Sequence, residues 1–302
     1  MSSLQELILS ITPPTLTLAK MSSRERNSHL NAINEIAEGV FETHERKCQF
    51  CGFQENGEIV RRISRNTESD KPETSLCVFP ENGNPRDITL ANLGVACVFC
   101  QAANSINTIE RPDAWTAIRL PGIPQSYLSW ITRSLFLMSQ VKQNYDQEKY
   151  RTKNELGDGV DDGDEAAMYI ILEATSSIMR KLRDARDGVI TFPGFQSIEE
   201  LSQSLIDLSN RNISEYDNRG KLLAGFRIIP TACIDDDWSP FLKYRTLMFE
   251  ASDYSGIRSF RDITLISRQA YQVIYNSTFP MGDPLKMEEQ FGTVSNHQNK
   301  TS

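Results

Sequence analysis

Two Cys-x-x-Cys pairs, Cys48-Gln-Phe-Cys51 and Cys97-Val-Phe-Cys100, stand 45 residues apart and constrain this chain more than any other feature. Two thiolates held two residues apart on a tight turn reach one ion together, and two such turns complete the tetrahedral four-sulfur shell that Zn²⁺ prefers. Cys48, Cys51, Cys97 and Cys100 are therefore read as the ligands of one closed, structural zinc ion. A Phe precedes the second Cys of each pair (Phe50, Phe99), and Gly52 follows the first pair where a knuckle turn calls for a positive φ. The competing reading is four unrelated core cysteines, since unpaired Cys is among the most buried residue types. The matched pairing favours the metal. A thioredoxin-like redox role fits poorly, because that motif normally occurs once and beside a βαβ pattern.

A chain of 302 residues can bury a sizeable core as one large or two modest domains. Of its six cysteines, the two outside the pairs (Cys77, Cys233) lie far apart, which suits a reducing cytosol better than a disulfide framework. The start, MSSLQELILSITPP, lacks the basic region and cleavage pattern of a signal peptide. Apolar runs such as Ala166 to Ala174 fall short of the roughly 20 residues that cross a bilayer, so no membrane insertion is expected. The net charge of −8 has the wrong sign for a protein that holds phosphate backbones, and the acidic excess is spread through both halves. Arg46, Lys47, Arg61, Arg62 and Arg65 do cluster around the first knuckle. With Glu55, Glu58 and Glu68 interleaved, they read as a solvated surface.

In chain order, Leu7, Leu9 and Ile11 alternate up to the Pro13-Pro14 break and predict a short strand. Residues 23–43 predict an amphipathic helix from Leu30, Ile33, Ile36, Val40 and Phe41, with His29 and His44 in surface or capping roles. Residues 51–65 read as a hairpin turning at Glu55 to Gly57, with Ile59 to Ile63 as the returning strand. Leu76 to Pro80 is a short apolar strand, and a helix is expected from Gln101 to Ile109. A loop from residue 112 precedes a helix whose Tyr127, Leu128, Ile131, Leu135 and Met138 form one stripe. Residues 146–165 are polar and acidic; the spacing of Asp158, Asp161, Asp162 and Asp164 does not match a calcium loop, and a flexible linker is expected. Helices follow at 166–187, ending before Gly188, after the capping box Ser197 to Glu200, and at 217–229. Cys233 is expected to be buried, and Asp235 to Asp237 to be a solvated negative run. Aromatic residues make 240–280 a region that is folded or folds on a partner, and 281–302 reads as a disordered tail.

The order of first knuckle, hairpin, strand ending in Pro80, Asn92-Leu93 and second knuckle resembles the zinc-binding ββα core of HNH endonucleases, a treble-clef-type fold. The resemblance implies an α+β protein with an HNH/treble-clef-like core and a helical C-terminal part. In active HNH enzymes an Asp-His pair opens the second strand, and the His acts as general base. Here the matching residues are Leu76-Cys77, no His occurs between residues 45 and 296, and Gln101 stands where a terminal His often follows the last knuckle. Asn92 keeps the family's central Asn, but an Asn alone supplies neither a base nor a metal site. The expectation is a kept fold without hydrolysis.

With the flanks included, Cys48 to Gln54, Leu9 to Pro13, Leu90 to Leu93 with the second knuckle, and Ile118-Arg-Leu-Pro121 together resemble the IcmJ (DotN) family over about residues 5 to 235. Members of that family are zinc-binding, HNH-like, non-nucleolytic subunits of the type IVB (Dot/Icm) secretion coupling complex. They are shorter, so the C-terminal third extends beyond the pattern. The resemblance implies a cytoplasmic adaptor, peripheral to the inner membrane through its partners. Those partners would be other coupling-complex subunits and the C-terminal segment of the type IV coupling ATPase. An active HNH-type endonuclease acting on conjugative DNA is the alternative. The expected organisation is a zinc-binding domain with flanking helices at 1–145, the acidic linker at 146–165, a helical region at 166–280 and the tail at 281–302.

Overall fold

In a computed structural model of the protein, the described residues are 7, 9, 10, 23–66, 74–84, 86–155, 162–190, 197–250 and 260–275. They form a mixed, mostly helical structure with two small antiparallel sheets of two strands each. The amphipathic stretch at residue 23 becomes helix α1 (Ser23–Thr43), which packs on the first sheet, with Val40 and Phe41 buried. That sheet pairs β1 (Leu76–Pro80) with β2 (Leu93–Cys97), Leu76 opposite Cys97 and Phe79 opposite Gly94. Strand β2 runs without a break into α3 (Val98–Asn104), so β1, β2 and α3 succeed one another as a ββα unit.

The returning strand of the expected hairpin is instead a helix, α2 (Gly57–Asn66). Ile59 and Ile63 are four apart, a helical spacing, and the Asn56 side chain accepts the backbone N–H groups of Glu58 (3.0 Å) and Ile59 (3.2 Å) at the helix start. Among the described residues, all that remains of a hairpin is one bridge, Lys47 to Gln54, around the knuckle itself. Val60 packs with Ile59 and Leu247, the latter in α10 (Arg245–Glu250).

The second sheet was not foreseen. Its strands are β3 (Trp115–Arg119), within the stretch read as a loop, and β4 (Phe226–Pro230), at the end of the stretch read as a helix. They pair antiparallel, Trp115 opposite Pro230. The expected 217–229 helix fails because Gly225, at φ 83°, reverses the chain after the short helices α7 (Ile213–Asp217) and α8 (Arg219–Leu222). The β-branched pair Ile228-Ile229 then favours the strand.

Helix α4 (Gln125–Glu155) is the axis of the core. Every residue from Tyr127 to Met138 is buried, so the single apolar stripe is in fact burial all round, the mark of a helix packed on every side. Two of its buried hydroxyls are satisfied within the helix: Ser129 and Ser134 donate to the carbonyls of Gln125 and Trp130. Gln125 fixes its start by acting as a strand partner to Ile228, donating to its carbonyl (2.8 Å) and accepting its N–H (3.0 Å).

The stretch 146–165 is largely helix: α4 continues to Glu155, and α5 (Asp162–Ile190) begins inside it and runs through Gly188. Ser197 caps α6 (Ile198–Arg211) as expected, accepting the Glu200 N–H at 3.1 Å. Beyond α9 (Ala232–Asp235), a 3₁₀ segment at Ser239–Tyr244 and α10, helix α11 (Phe260–Tyr275) lies along α5 and α4. One buried cluster extends from Leu7 to Ile274. Aromatic contacts tie its parts together: Phe136 stacks on Trp238 at 4.9 Å, and Phe241 meets Trp238, Trp115 and Phe99 of the second knuckle. The C-terminal part is thus packed against the cysteine region. In the N-terminal segment, Leu7 and Leu9 are buried and Ser10 exchanges backbone hydrogen bonds with Ala103 and Ile106, while Ile11 lies outside the described residues. The 281–302 tail lies outside them as well.

Candidate metal centre

The first knuckle is set by the way α1 ends. Glu45 and Arg46 take left-handed backbone conformations (φ 54° and 49°), and the Arg46 N–H reaches the Phe41 carbonyl. The chain is thereby turned back across the sheet. Cys48 then accepts the Gly52 N–H at 2.9 Å, and the Cys48 N–H donates to Phe53, closing a turn in which Gly52 has φ 73°. The second knuckle is the β2–α3 junction: Cys97 is the last residue of the strand and Cys100 lies in the first turn of the helix. Two backbone bonds lock the knuckles to the sheet, Gln49 N–H to Val95 and Val98 N–H to Ser75.

This brings the four predicted ligands together. The sulfurs of Cys48, Cys51, Cys97 and Cys100 all lie within 4.8 Å of one another, and each residue is at most 1% exposed. Cys51 Sγ and Cys97 Sγ are 3.7 Å apart. Zinc–sulfur bonds of about 2.3 Å in a tetrahedron place the sulfurs roughly 3.8 Å apart, whereas a disulfide needs about 2.05 Å. The donor set therefore fits a single soft dication. Among the described residues, no other group of three or more His, Cys, Asp or Glu side chains comes close enough to hold an ion.

Burial and the neighbouring sulfurs hold the Cys100 thiol well above the usual range, and burial does the same for Cys48. Burial also acts upward on Cys51, but hydrogen bonds from the other three cysteines and the positive charge of Arg133 bring it well below that range. Arg133, from the middle of α4, is 2% exposed; its Nη1 lies 3.3 Å from Cys51 Sγ and 3.4 Å from Cys97 Sγ, and its guanidinium sits 4.8 Å over the Phe53 ring. Ser129 of the same helix lies 3.3 Å from Cys100 Sγ. Sequence reasoning missed both residues. The signal was there: a lone arginine inside an apolar run has to meet an anion.

A second buried polar group supports the first knuckle. The Glu55 side chain is fully buried and accepts from the Ser75 N–H (2.8 Å), the Ser75 hydroxyl and the Thr74 hydroxyl (2.7 Å). Arg46, also buried, lies 3.5 Å from Glu55 and 2.9 Å from Glu38. Arg61 pairs with Glu38 and Glu42. The expected solvated surface holds for exposed Arg61 but not for Arg46 and Glu55, which are buried as an ion pair; acidic residues neutralise both arginines, and the Arg62 and Arg65 side chains lie outside the described residues. His44 is no ligand: its Nε2 bonds the Leu93 carbonyl at 2.9 Å, and its Nδ1 faces Gln49 at 3.3 Å. The His29 side chain is not among those described.

Cys77 faces Ala96 across the sheet, half-buried and apart from the sulfur cluster, with burial pushing its thiol up to about 12. Cys233 is buried against Thr132 and is likewise pushed up to about 12 by burial. Asn92 braces the loop between the strands, accepting the Asn82 N–H and donating to the Asn82 side chain and the Asp87 carbonyl. The Asp235 to Asp237 run uses its carboxylates on the Asp237 N–H, the Trp238 indole and the Ser239 N–H, and Asp236 also pairs with Lys142 at 3.6 Å.

No protein-family profile and no curated protein matches the chain. Among the described residues, no helix is long and apolar enough to cross a membrane.

Proposed function

We propose that this protein is a non-catalytic adaptor, built on an HNH-like zinc core, which serves the coupling complex of a type IVB secretion or conjugation system by holding its coupling ATPase. The observation that carries the reading is the complete burial of the four-cysteine cluster. A catalytic zinc keeps an open position for water, whereas a closed four-sulfur shell contributes folding energy. The succession of β1, β2 and α3 is compatible with a ββα core of the HNH kind, although the hairpin expected ahead of β1 is replaced by α2. Two further features favour the loss of nuclease chemistry. The position of the family's base is Cys77, a thiol held neutral at physiological pH, and Asn92 is committed to bracing its own loop. Four cysteines and the flanking motifs resembling the IcmJ family point to the coupling ATPase as partner.

Co-expression with the C-terminal segment of the cognate coupling ATPase, followed by size exclusion, tests the adaptor role. A stoichiometric, zinc-containing complex is expected. Incubating the purified protein with supercoiled plasmid in Mg²⁺ or Mn²⁺ tests the chemistry. Nicking abolished by Asn92→Ala, with no ATPase complex, would replace this reading with the endonuclease.

A further inference from the structure

We propose that Arg133 is the counter-charge of the metal centre, a positioning residue that sets how tightly the four cysteines hold their ion. The inference rests on reading the cluster as a zinc site. Four thiolates around a dication leave a net charge of about −2. Held in a dry interior, such a charge is unfavourable unless a cation and hydrogen bonds compensate it. Arg133 supplies both. A single nitrogen, Nη1, reaches one sulfur from each knuckle, Cys51 at 3.3 Å and Cys97 at 3.4 Å, so it bridges the two halves of the shell. The Phe53 ring, from the turn of the first knuckle, lies beneath the guanidinium and fixes its plane. The other buried arginine of this region, Arg46, is engaged by Glu38 and Glu55. A guanidinium donating to a thiolate withdraws charge from sulfur, which slows attack on that sulfur by protons and electrophiles and so retains the metal. Because Arg133 belongs to α4, the same contact fastens the knuckles to the central helix of the core.

Chelator competition on the full-length protein and two variants, Arg133→Met and Arg133→Lys, tests the proposal, with absorption spectra of the cobalt-substituted forms. Methionine keeps much of the volume and removes the charge. It is expected to weaken zinc about 10- to 100-fold, the usual effect of losing a group that orients a ligand, and to move the sulfur-to-cobalt charge-transfer band to lower energy. Lysine keeps the charge without the fork and should recover part of both. Affinity and band unchanged in Arg133→Met would overturn the proposal and leave Arg133 a packing residue. If Arg133→Met does not fold, Arg133→Lys decides: affinity and band recovered in part or in full support the counter-charge, and loss as complete as on removing Cys51 overturns it. Wild-type protein that binds no zinc in the same titration would instead sink the metal reading itself.

Discussion

Truncating Glu55 to alanine should be among the most damaging substitutions outside the cysteines. The side chain is wholly buried and serves three donors, the Ser75 N–H, the Ser75 hydroxyl and the Thr74 hydroxyl, besides the Arg46 guanidinium. Hydrogen bonds to a charged group contribute about 1.5–3 kcal/mol each, and a buried charge left without its partner costs about 3–5 kcal/mol. Arg46 keeps Glu38 at 2.9 Å, and Glu38 is partly solvated, so the arginine is not wholly stranded. The loss should therefore fall near 3–5 kcal/mol rather than at the sum of the separate contributions. Glu42→Ala is the control, since its ion pair with Arg61 is exposed on both sides and is worth at most about 1 kcal/mol. Urea unfolding of zinc-saturated protein, followed by circular dichroism, gives the comparison if the slopes with denaturant agree. Should Glu55→Ala cost no more than Glu42→Ala, the buried carboxylate does not hold the first knuckle to β1 and the reasoning fails.

Asn56→Ala removes the acceptor of two N–H groups at the start of α2 and should cost about 1 kcal/mol in the same assay, whereas no loss would undo the capping argument. Gly225→Ala forces a side chain into the left-handed region and brings its Cβ within 3.2 Å of Pro121, so a loss of at least about 1–2 kcal/mol is expected; wild-type stability would mean the turn into β4 is not constrained. Cys77→Ala should keep its metal, with a loss near 1 kcal/mol for a small cavity, and metal loss would make Cys77 a ligand. Cys233 is held protonated up to about 12, against an ordinary value of 9.0. The folded state therefore keeps a proton that the unfolded chain releases, and its stabilising effect is full below pH 9 and lost as pH rises towards 12. Cys233→Ala should flatten that alkaline decline in a stability–pH profile, and an unchanged slope would contradict it.

What depends on local pattern could be read from the chain. The knuckle spacing names four residues whose sulfurs do converge, and periodicity and capping residues mark α1, the body of α5, and α6 with Ser197. What depends on distant partners could not. Strands β3 and β4 exist through each other, and Trp115 to Arg119 gives little sign by itself that Phe226 to Pro230 will lie beside it. Ile59 to Ile63 satisfies both strand and helix preferences, and the Asn56 cap with a Leu247 contact decides for the helix. The acidic composition of 146–165 suggested a linker, yet Asp146 to Glu155 extend a helix whose preceding turns are anchored in the core. Arg133 is one charged residue within the apolar run of α4, and the sequence does not say which anion it meets. Its role follows only from the meeting of α4 with both knuckles.

Metal content measured on full-length, natively purified protein tests the closed structural centre most directly. Elemental analysis before and after strong chelation, paired with circular dichroism, should find about one zinc per folded chain and a loss of fold as the zinc leaves. Folded protein carrying well under about half a zinc, or a fold that persists unchanged after the metal is removed, would contradict it.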